Sequence, residues 1–367
     1  MKFFYSPTGN LYEDNKASFS AETFELELSE ENGLLRQKNI IPFTLLKPQT
    51  GWSESNEPED HLDMVAIKIT KNIKSVKNIL CFSYKDISLA NRLKEKNSNI
   101  DCLFSITRGL IGDHVENKTE EIIFESLKEL KIKYDLIIIR HYLEHFENID
   151  QLMRKLNQNL NDQGILFLEV PDCSQFISNK NPLFLWEQHR WYFTFSSLSD
   201  WLFNKGWNSI ETYSEKYLME PSLCFILKKS DLVDDNIKQL SANTNKKKQN
   251  FNFEIFDEYL YSWKKYIRNS VYQIAIFGIG HNSDRFLQLT NTKDQIHFLF
   301  DDSPNKEGKF IAKCDIRISS NKKNIDPLKT VILLGVHPRY SEKFKNSLIS
   351  EHNFKNVYSI FNNAPKL

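Results

Sequence analysis

The chain has 367 residues, of which 40% are hydrophobic and 26% are charged, a composition typical of a soluble globular protein with room for two domains. Its 48 basic residues balance 48 acidic ones, so no long-range field favours nucleic acid or an anionic membrane surface. The N-terminus lacks the apolar segment of a signal peptide, and the apolar runs elsewhere are far shorter than the roughly 20 residues that span a bilayer. We therefore expect neither a nucleic-acid partner nor a membrane span.

The cysteines are few and widely spaced, and they form no C-x-x-C pair. They stand at Cys81, Cys102, Cys173, Cys224 and Cys314. Structural zinc sites and disulfide frameworks both depend on closely patterned cysteines. We therefore expect no metal and no disulfides, and a reducing cytoplasm as the location.

Residues 1–60 carry few strong signals and are expected to form an N-terminal extension. A turn is predicted at Ser6–Gly9, where proline and glycine lie close together. Alternating apolar and acidic residues at Phe24–Leu28 predict a hairpin or an edge strand.

Residues 61–228 alternate between strand-like and helix-like patterns. Short apolar runs typical of buried strands stand at 78–82, 100–104, 134–139 and 165–170. Apolar residues at helical spacing separate these runs. Two more strand-like runs, 209–213 and 223–227, follow each other without a helical pattern between them. This order predicts an α/β domain with a mostly parallel sheet, covered by helices and closed by an antiparallel hairpin.

The segment 229–250 is polar and is predicted to be a linker. Beyond it, residues 251–367 are predicted to form a second, smaller α/β domain of Rossmann-like type. Its strand-like runs stand at 273–277, 296–300, 331–334 and 357–360.

Three motifs carry a family resemblance. The segment Tyr134–His145, YDLIIIRHYLEH, resembles the fourth strand of class I S-adenosylmethionine-dependent methyltransferases, in which a Leu-Glu-His triplet opens the next helix. Gly164–Pro171 resembles their fifth strand, and His189–Thr194 resembles the H-x-x-x-F-[ST] element that follows. The resemblance implies the class I methyltransferase fold and S-adenosylmethionine as the cofactor.

The whole layout resembles the bacterial sugar C-methyltransferases, which join a methyltransferase core to a small C-terminal Rossmann-like domain. In the second domain the resemblance rests on Ile274–Gly280 and on the D-x-x-P-x-K-x-G pattern at Asp301–Gly308. It implies a nucleotide-linked sugar as the substrate, in surface-glycan biosynthesis. The N-terminal zinc module of that family has no counterpart, because residues 1–60 contain no cysteine.

The resemblance also implies site residues in the first domain. The cofactor would contact the turn after the first strand and the residues after the fourth, namely Phe82, Ser83, Tyr84, Arg140 and His141. Histidines near neutral pKa are candidate general bases, and the catalytic candidates are His189, His145 and, as an alternative base, Glu187. The substrate would contact Trp186, Gln188 and Tyr192.

The second domain carries a G-x-G-x-x-S pattern that begins at Gly278 and Gly280, between a strand and a helix. Asp301 and Asp302 follow about 20 residues later, as the ribose-binding acid of a dinucleotide fold does. These four residues are predicted to contact the nucleotide of the substrate. The alternative is a tight turn followed by a solvated acidic loop.

Two departures from the family pattern leave two functions open. The turn at Cys81–Ile87 has no glycine where the family has E-x-G-x-x-x-G, and Leu103–Ser105 stands where the family has its ribose-binding acid. Glycine lets the backbone approach a ligand and adopt positive φ. The chain is therefore either a sugar C- or O-methyltransferase, or a methyltransferase-like binding or scaffold protein that has lost the cofactor.

Overall fold

The computed structural model describes residues 2–39, 41, 46, 59–73, 75–97, 99–106, 120–215, 221–230, 251–322 and 325–366. Most of the predicted linker, from residue 231 to 250, lies outside the described residues. Within the described ranges, no helix is both long and apolar enough to cross a membrane.

The described part of the N-terminal segment, up to Gln37, contains four strands and a short helix. They are β1 (Lys2–Tyr5), β2 (Leu11–Tyr12), α1 (Asn15–Ser20), β3 (Phe24–Glu31) and β4 (Leu34–Gln37). β3 and β4 pair as an antiparallel hairpin. Asn32 and Gly33 join them with φ of 53° and 81°, the conformation that an Asn-Gly hairpin turn adopts.

The next elements build the first α/β sheet. They are α2 (Leu62–Asn72), β5 (Asn78–Cys81), α3 (Tyr84–Lys96), β6 (Cys102–Ser105), α4 (Glu120–Glu129), β7 (Tyr134–Arg140), α5 (Ile149–Asn159), β8 (Leu160–Pro171), α6 (Ser174–Ser178), β9 (Trp191–Tyr192), α7 (Phe195–Asn204), β10 (Trp207–Glu215) and β11 (Ser222–Lys229). The six-stranded sheet has the order β10-β11-β8-β7-β5-β6. β6, β5, β7 and β8 run parallel, and β11 pairs antiparallel with both β8 and β10. The predicted fold, a mostly parallel sheet with an antiparallel closing pair, is confirmed.

Strand β7 shows why this sheet forms. Ile137 and Ile139 pack into the apolar cluster on one face, whereas Leu136 and Ile138 pack into the cluster on the other. All four side chains are fully buried. A continuous apolar run is therefore required, since helices cover both faces of a parallel sheet.

The remaining elements form the second α/β sheet. They are α8 (Asp257–Asn269), β12 (Gln273–Phe277), α9 (His281–Thr290), β13 (Phe298–Phe300), β14 (Phe310–Ile311), β15 (Ile318–Ser319), β16 (Thr330–Leu334), α10 (Pro338–Ser350) and β17 (Asn356–Ser359). Five of these strands make a parallel sheet in the order β15-β13-β12-β16-β17. Short 3₁₀ turns occur at Leu143–His145, Pro182–Phe184, Phe253–Phe256, Lys293–Gln295 and Pro304–Lys306.

The N-terminal segment connects the two α/β units. β4 pairs antiparallel with β9 of the first unit, and β2 pairs antiparallel with β14 of the second. One apolar cluster contains Leu28 from the segment, Phe184 from the first unit and Ile276 from the second. The segment therefore positions the two sheets relative to each other.

Candidate functional site

The turn after β5 is closed by the chain's own side chains. Phe82 is fully buried, and its ring contacts Tyr142 and Phe146 edge to face, with centroid distances of 5.1 and 5.7 Å. The Asp86 carboxylate accepts hydrogen bonds from the backbone N–H groups of Phe82 (2.8 Å) and Ser83 (2.6 Å). Burial raises the pKa of Asp86 to about 7. The Asp86 side chain thus reaches back to the backbone just before α3, as the third residue of a capping box does.

A buried ionic network ties the ends of β7 and β8 together. The Arg140 guanidinium donates to the Glu169 carboxylate (2.6 Å) and to the carbonyl oxygen of Lys85 (2.7 Å). His61 and His141 place Nε2 at 3.0 and 3.3 Å from the other Glu169 oxygen. Burial alone would raise the pKa of Glu169, but its bonds with His141 and His61 and the charge of Arg140 hold that pKa well below its usual range.

His141 follows this network with φ of 46°, a left-handed conformation that is uncommon outside glycine and often occurs at functional sites. Its Nε2 also lies 3.1 Å from the Ser222 hydroxyl. Its Nδ1 lies 3.9 Å from Oε1 of Glu144, so the ring joins the buried edge of the sheet to Glu144.

These residues do not fit S-adenosylmethionine in the way that a glycine-rich turn does. Phe82 and Arg140 are fully buried, Ser83 is 1% exposed and His141 is 6% exposed. Tyr84 is the first residue of α3. β6 ends without an acid. The predicted cofactor residues are thus brought together at one sheet edge, but the described side chains are buried against neighbouring residues of the turn and the sheet and leave little surface for a ligand.

A second group of polar residues lies beyond the end of β7. Glu144 is 1% exposed, and its Oε1 lies 3.8 Å from Nε2 of His145, whose side chain is 31% exposed. The ring centroids of His145 and His189 are 4.9 Å apart, with an interplanar angle of 82°. The Nδ1 of His145 lies 3.1 Å from the carbonyl oxygen of Gln188. Since a carbonyl oxygen only accepts, Nδ1 of His145 carries a proton in this contact.

His189 is held among aromatic rings. It is 3% exposed, with the Trp186 ring at 4.9 Å and the Tyr192 ring at 6.4 Å. Burial, followed by the positive charges of His145 and Arg285, holds the pKa of His189 well below its usual range. The imidazole is therefore neutral at pH 7 and has a free lone pair.

Glu187 is engaged by the N-terminal segment. It is 1% exposed, and its carboxylate accepts from the N–H (2.7 Å) and the hydroxyl (2.8 Å) of Thr8. Burial raises the pKa of Glu187, although the positive charge of Arg285 acts in the opposite direction. Tyr192 donates its hydroxyl to the carbonyl oxygen of Trp186 at 2.9 Å. The side chains of Glu187 and Tyr192 thus fix the loop at residues 186–192.

In the second unit, the predicted nucleotide residues surround the turn after β12. Gly278 has φ of 87°, and a Cβ there would lie 2.3 Å from the Val336 side chain. Gly280 is partly exposed at the start of α9. Asp301 is 8% exposed. Its carboxylate accepts from the N–H of Ile279 (2.8 Å) and from Nζ of Lys306 (2.9 Å).

The D-x-x-P-x-K-x-G pattern therefore has a structural basis. Asp301 and Lys306 bind each other, and Lys306 also donates to the carbonyl oxygen of Ile279 at 2.5 Å. Gly308 follows with φ of 76°. By contrast, the Asp302 side chain is 56% exposed and pairs with Lys322.

The two units meet at His281, the first residue of α9. Its ring lies 5.6 Å from the Trp186 ring, and its Nδ1 lies 3.3 Å from the Thr8 hydroxyl. We call the group Glu144, His145, Trp186, His189 and His281 the junction site. Sequence reasoning singled out neither Glu144 nor His281 as a site residue. The available signals were the Leu-Glu-His triplet and the position of His281 directly after the G-x-G turn.

The chain was compared with known proteins. Residues 44–212 match the model of a methyltransferase domain family. A search of curated proteins finds no match.

Several solved structures match about half of the chain. An S-adenosylmethionine-dependent methyltransferase from Clostridium acetobutylicum is 9% identical, with 46% of this chain and 90% of that chain covered and a TM-score of 0.34. The 1,6-didemethyltoxoflavin-N1-methyltransferase from Burkholderia thailandensis is 10% identical, with coverages of 47% and 80% and a TM-score of 0.35. A methyltransferase from Archaeoglobus fulgidus is 14% identical, with coverages of 50% and 85% and a TM-score of 0.31. These likenesses are weak, and no property of these proteins is transferred to the chain.

The family match and the sheet order agree on the first α/β unit. The match includes the parallel strands β5 to β8 and most of β10, the first strand of the closing pair. This part of the chain thus has the sheet order of the class I methyltransferase fold, and its match to the family model indicates a methyltransferase domain.

Proposed function

We propose that the chain methylates a sugar, in nucleotide-linked form, at the junction site, and that it serves surface-glycan biosynthesis in the cytoplasm. The observation that carries the proposal is the contact between Trp186 and His281 at 5.6 Å. This contact brings the candidate bases of the methyltransferase domain next to the G-x-G turn of the second unit. One elongated substrate can therefore reach both.

The proposed reaction needs a base on the acceptor side. His189 is neutral and lies 4.9 Å from the Trp186 ring, and the partly exposed His145 ring lies 4.9 Å from His189, so these two imidazoles are the candidates that accept a proton from an acceptor held beside Trp186. C-methylation removes a proton next to a carbonyl group, whereas O-methylation removes a hydroxyl proton. Trp186 and Gln188 replace the tyrosine and glutamate of the sugar C-methyltransferases, which leaves O-methylation open.

The substrate class is supported by two features of the junction. The partly exposed Gly280 starts α9, whose backbone N–H groups can bind a phosphate oxygen. The partly exposed Trp186 offers an aromatic face to a sugar ring. Asp301 is engaged by Lys306 and Ile279, so a ribose contact would fall to the more exposed Asp302.

The second candidate function is a methyltransferase-like binding or scaffold protein without a cofactor. The turn after β5 favours it, because Ser83 and Ile87 stand where the family has glycines, and the Asp86 carboxylate already binds the backbone of this turn. In this second candidate, the junction site still binds a sugar nucleotide, but no methyl group is transferred.

Calorimetry on the full chain separates the two candidates. S-adenosylmethionine, S-adenosylhomocysteine and a panel of nucleotide sugars are titrated separately. Binding of the cofactor and of one nucleotide sugar, followed by methyl transfer between them, supports the enzyme. No cofactor binding at about 1 mM would contradict the enzyme, and nucleotide-sugar binding alone would support the second candidate.

A further inference from the structure

The geometry points to a divalent transition-metal site formed by Glu144, His145 and His189. The inference goes beyond the proposed function, since it depends on the arrangement of three donor atoms and not on methyl transfer. One carboxylate oxygen and two imidazole nitrogens lie within 4.8 Å of one another. Two imidazoles and one carboxylate form a common ligand set for zinc and non-haem iron, and this set leaves coordination positions open.

The spacing of the donors is close to that of a coordinated ion. Oε1 of Glu144 lies 3.8 Å from Nε2 of His145, too far apart for a hydrogen bond. Around a tetrahedral ion with ligands at about 2.1 Å, two donors lie about 3.4 Å apart. A small rotation of the side chains would therefore close the site around an ion.

The hydrogen bond of His145 suits a metal ligand. Its Nδ1–H donates to the carbonyl oxygen of Gln188 at 3.1 Å, and its other ring nitrogen, Nε2, is the one that lies 3.8 Å from Glu144. Metal-bound histidines commonly donate their other ring nitrogen to a backbone carbonyl in this way. The His145 side chain is also 31% exposed, so an ion can enter from solvent.

A second group with metal-ligand chemistry serves as a comparison. His61, Glu169 and Cys224 also place their donor atoms within 4.8 Å of one another. There the Glu169 oxygens already bind Arg140 and two histidines. Burial raises the pKa of the Cys224 thiol and keeps it protonated. The inference is therefore restricted to Glu144, His145 and His189.

The donor atoms of the site predict which ion binds. Two of the three donors are imidazole nitrogens and only one is a carboxylate oxygen, so the affinity depends mainly on direct bonds to the imidazoles. We therefore expect Zn²⁺, Co²⁺ or Ni²⁺ to bind, and Mg²⁺ and Ca²⁺, which prefer oxygen ligands, to bind much more weakly.

A bound ion would change the roles of the histidines. In the metal-loaded protein, His145 and His189 are ligands and not bases, and the open coordination positions can hold an oxygen of the acceptor. Only this consequence rests on the proposed function; the binding of the ion does not.

The experiment is a metal titration of the full chain after treatment with a chelator. ZnCl₂ is titrated by calorimetry, and CoCl₂ is followed by the visible absorption of tetrahedral Co²⁺. We expect one ion per chain with a Kd of about 1 µM or lower. Glu144→Gln, His145→Ala and His189→Gln should each weaken binding about 100-fold, whereas His352→Ala, at an exposed histidine of the second unit, should leave it unchanged.

Two results would overturn the inference: no saturable binding by the wild-type chain, or binding that survives both His145→Ala and Glu144→Gln. Circular dichroism checks that each variant is folded, and the partly exposed His145 provides a variant that does not remove a buried group. Metal binding without cofactor or nucleotide-sugar binding would leave the site standing and contradict the proposed function. Binding of the cofactor and of a nucleotide sugar without metal binding would contradict the inference and leave the proposed function standing.

Discussion

The imidazole of His281 lies directly against the backbone of Gly9. A Cβ on Gly9 would come 2.3 Å from Cε1 and 2.5 Å from Nδ1 of that ring. The ring has little room to move, since it also contacts Trp186 and Thr8. The N-terminal segment thus forms one wall of the junction site.

The first prediction compares two glycines with the same backbone conformation. Gly9 and Gly33 both have φ of 81°, but a Cβ on Gly33 would meet no atom within 4 Å. Gly33→Ala should lower the free energy of unfolding by about 1 kcal/mol, the cost of a left-handed conformation. Gly9→Ala should cost at least about 2 kcal/mol more, because the ring of His281 must shift. Urea denaturation measures both, and equal losses would show that the contact is not tight.

The hydroxyl of Thr8 should stabilise the buried Glu187. Thr8→Val keeps the side-chain shape and removes one donor to a buried carboxylate, so we expect a loss of about 2 kcal/mol. Thr70→Val, at an exposed hydroxyl that binds only its own helix, should cost less than about 0.5 kcal/mol. In a double-mutant cycle, Glu187→Gln should reduce the effect of Thr8→Val. Additive losses would show that the two side chains act independently.

Asp86 should make stability depend on pH. Its carboxyl has a pKa of about 7 in the folded chain and an ordinary value of 3.8 when exposed. Between these values the folded state binds the proton of Asp86 more tightly than the unfolded state does. The stability that this proton contributes is therefore complete below about pH 4 and is lost as the pH rises through about 7. The difference corresponds to an upper limit of about 4 kcal/mol. Asp86→Asn has no such titration, so its unfolding free energy should fall less than that of the wild type from pH 4 to pH 7. Parallel pH profiles would contradict the assignment.

Trp186 and His281 should control binding of the substrate. Under the proposed function, Trp186→Ala and His281→Ala should each weaken nucleotide-sugar binding at least about tenfold, the loss of one aromatic contact of about 1.4 kcal/mol. Trp186→Phe should retain most of the affinity because it keeps an aromatic face. His352→Ala is the control. Unchanged affinity in both alanine variants would place the substrate elsewhere.

Neighbouring aspartates in the second unit should differ in effect. Asp301→Asn should lower the melting temperature, because the carboxylate holds Lys306 and the N–H of Ile279. Asp302→Asn should leave the melting temperature nearly unchanged, since the side chain is 56% exposed. If a nucleotide sugar binds, the affinity of Asp302→Asn for it should differ from that of the wild-type chain. If only the folded Asp301→Asn variant has a changed affinity, the ribose contact belongs to Asp301.

Local patterns were enough to predict the sheets, because a buried parallel strand needs a continuous apolar run wherever it lies. The run at 134–139 and the turn at Gly278–Gly280 are examples. The junction site could not be predicted in this way. Glu144 and His189 meet because two loops converge, and Glu187 meets Thr8 across 179 positions of the chain. Such contacts between residues far apart in the sequence depend on the path of the whole chain, and they leave no periodic pattern in the sequence.

The sequence indicates only in part that side chains close the turn after β5. The absence of glycine at Cys81–Ile87 indicates that the backbone cannot approach a ligand there as closely as in the family. It does not indicate that Asp86 would turn inward to accept the N–H of Arg140 as well, at 2.8 Å. That bond links a helix start to the neighbouring strand, and only the packed sheet brings the two together.

The pairing of β2 with β14 has a consequence for how the protein is made. The hydroxyl of Ser18 donates to the carbonyl oxygen of Ile311, 293 positions later in the chain. During synthesis β2 leaves the ribosome long before its partner strand β14. The edge of β2 must therefore wait for this partner until residues 310–311 have been translated. Contacts of such long sequence separation slow folding, so docking of this segment is expected to be a late and slow step in the maturation of the nascent chain.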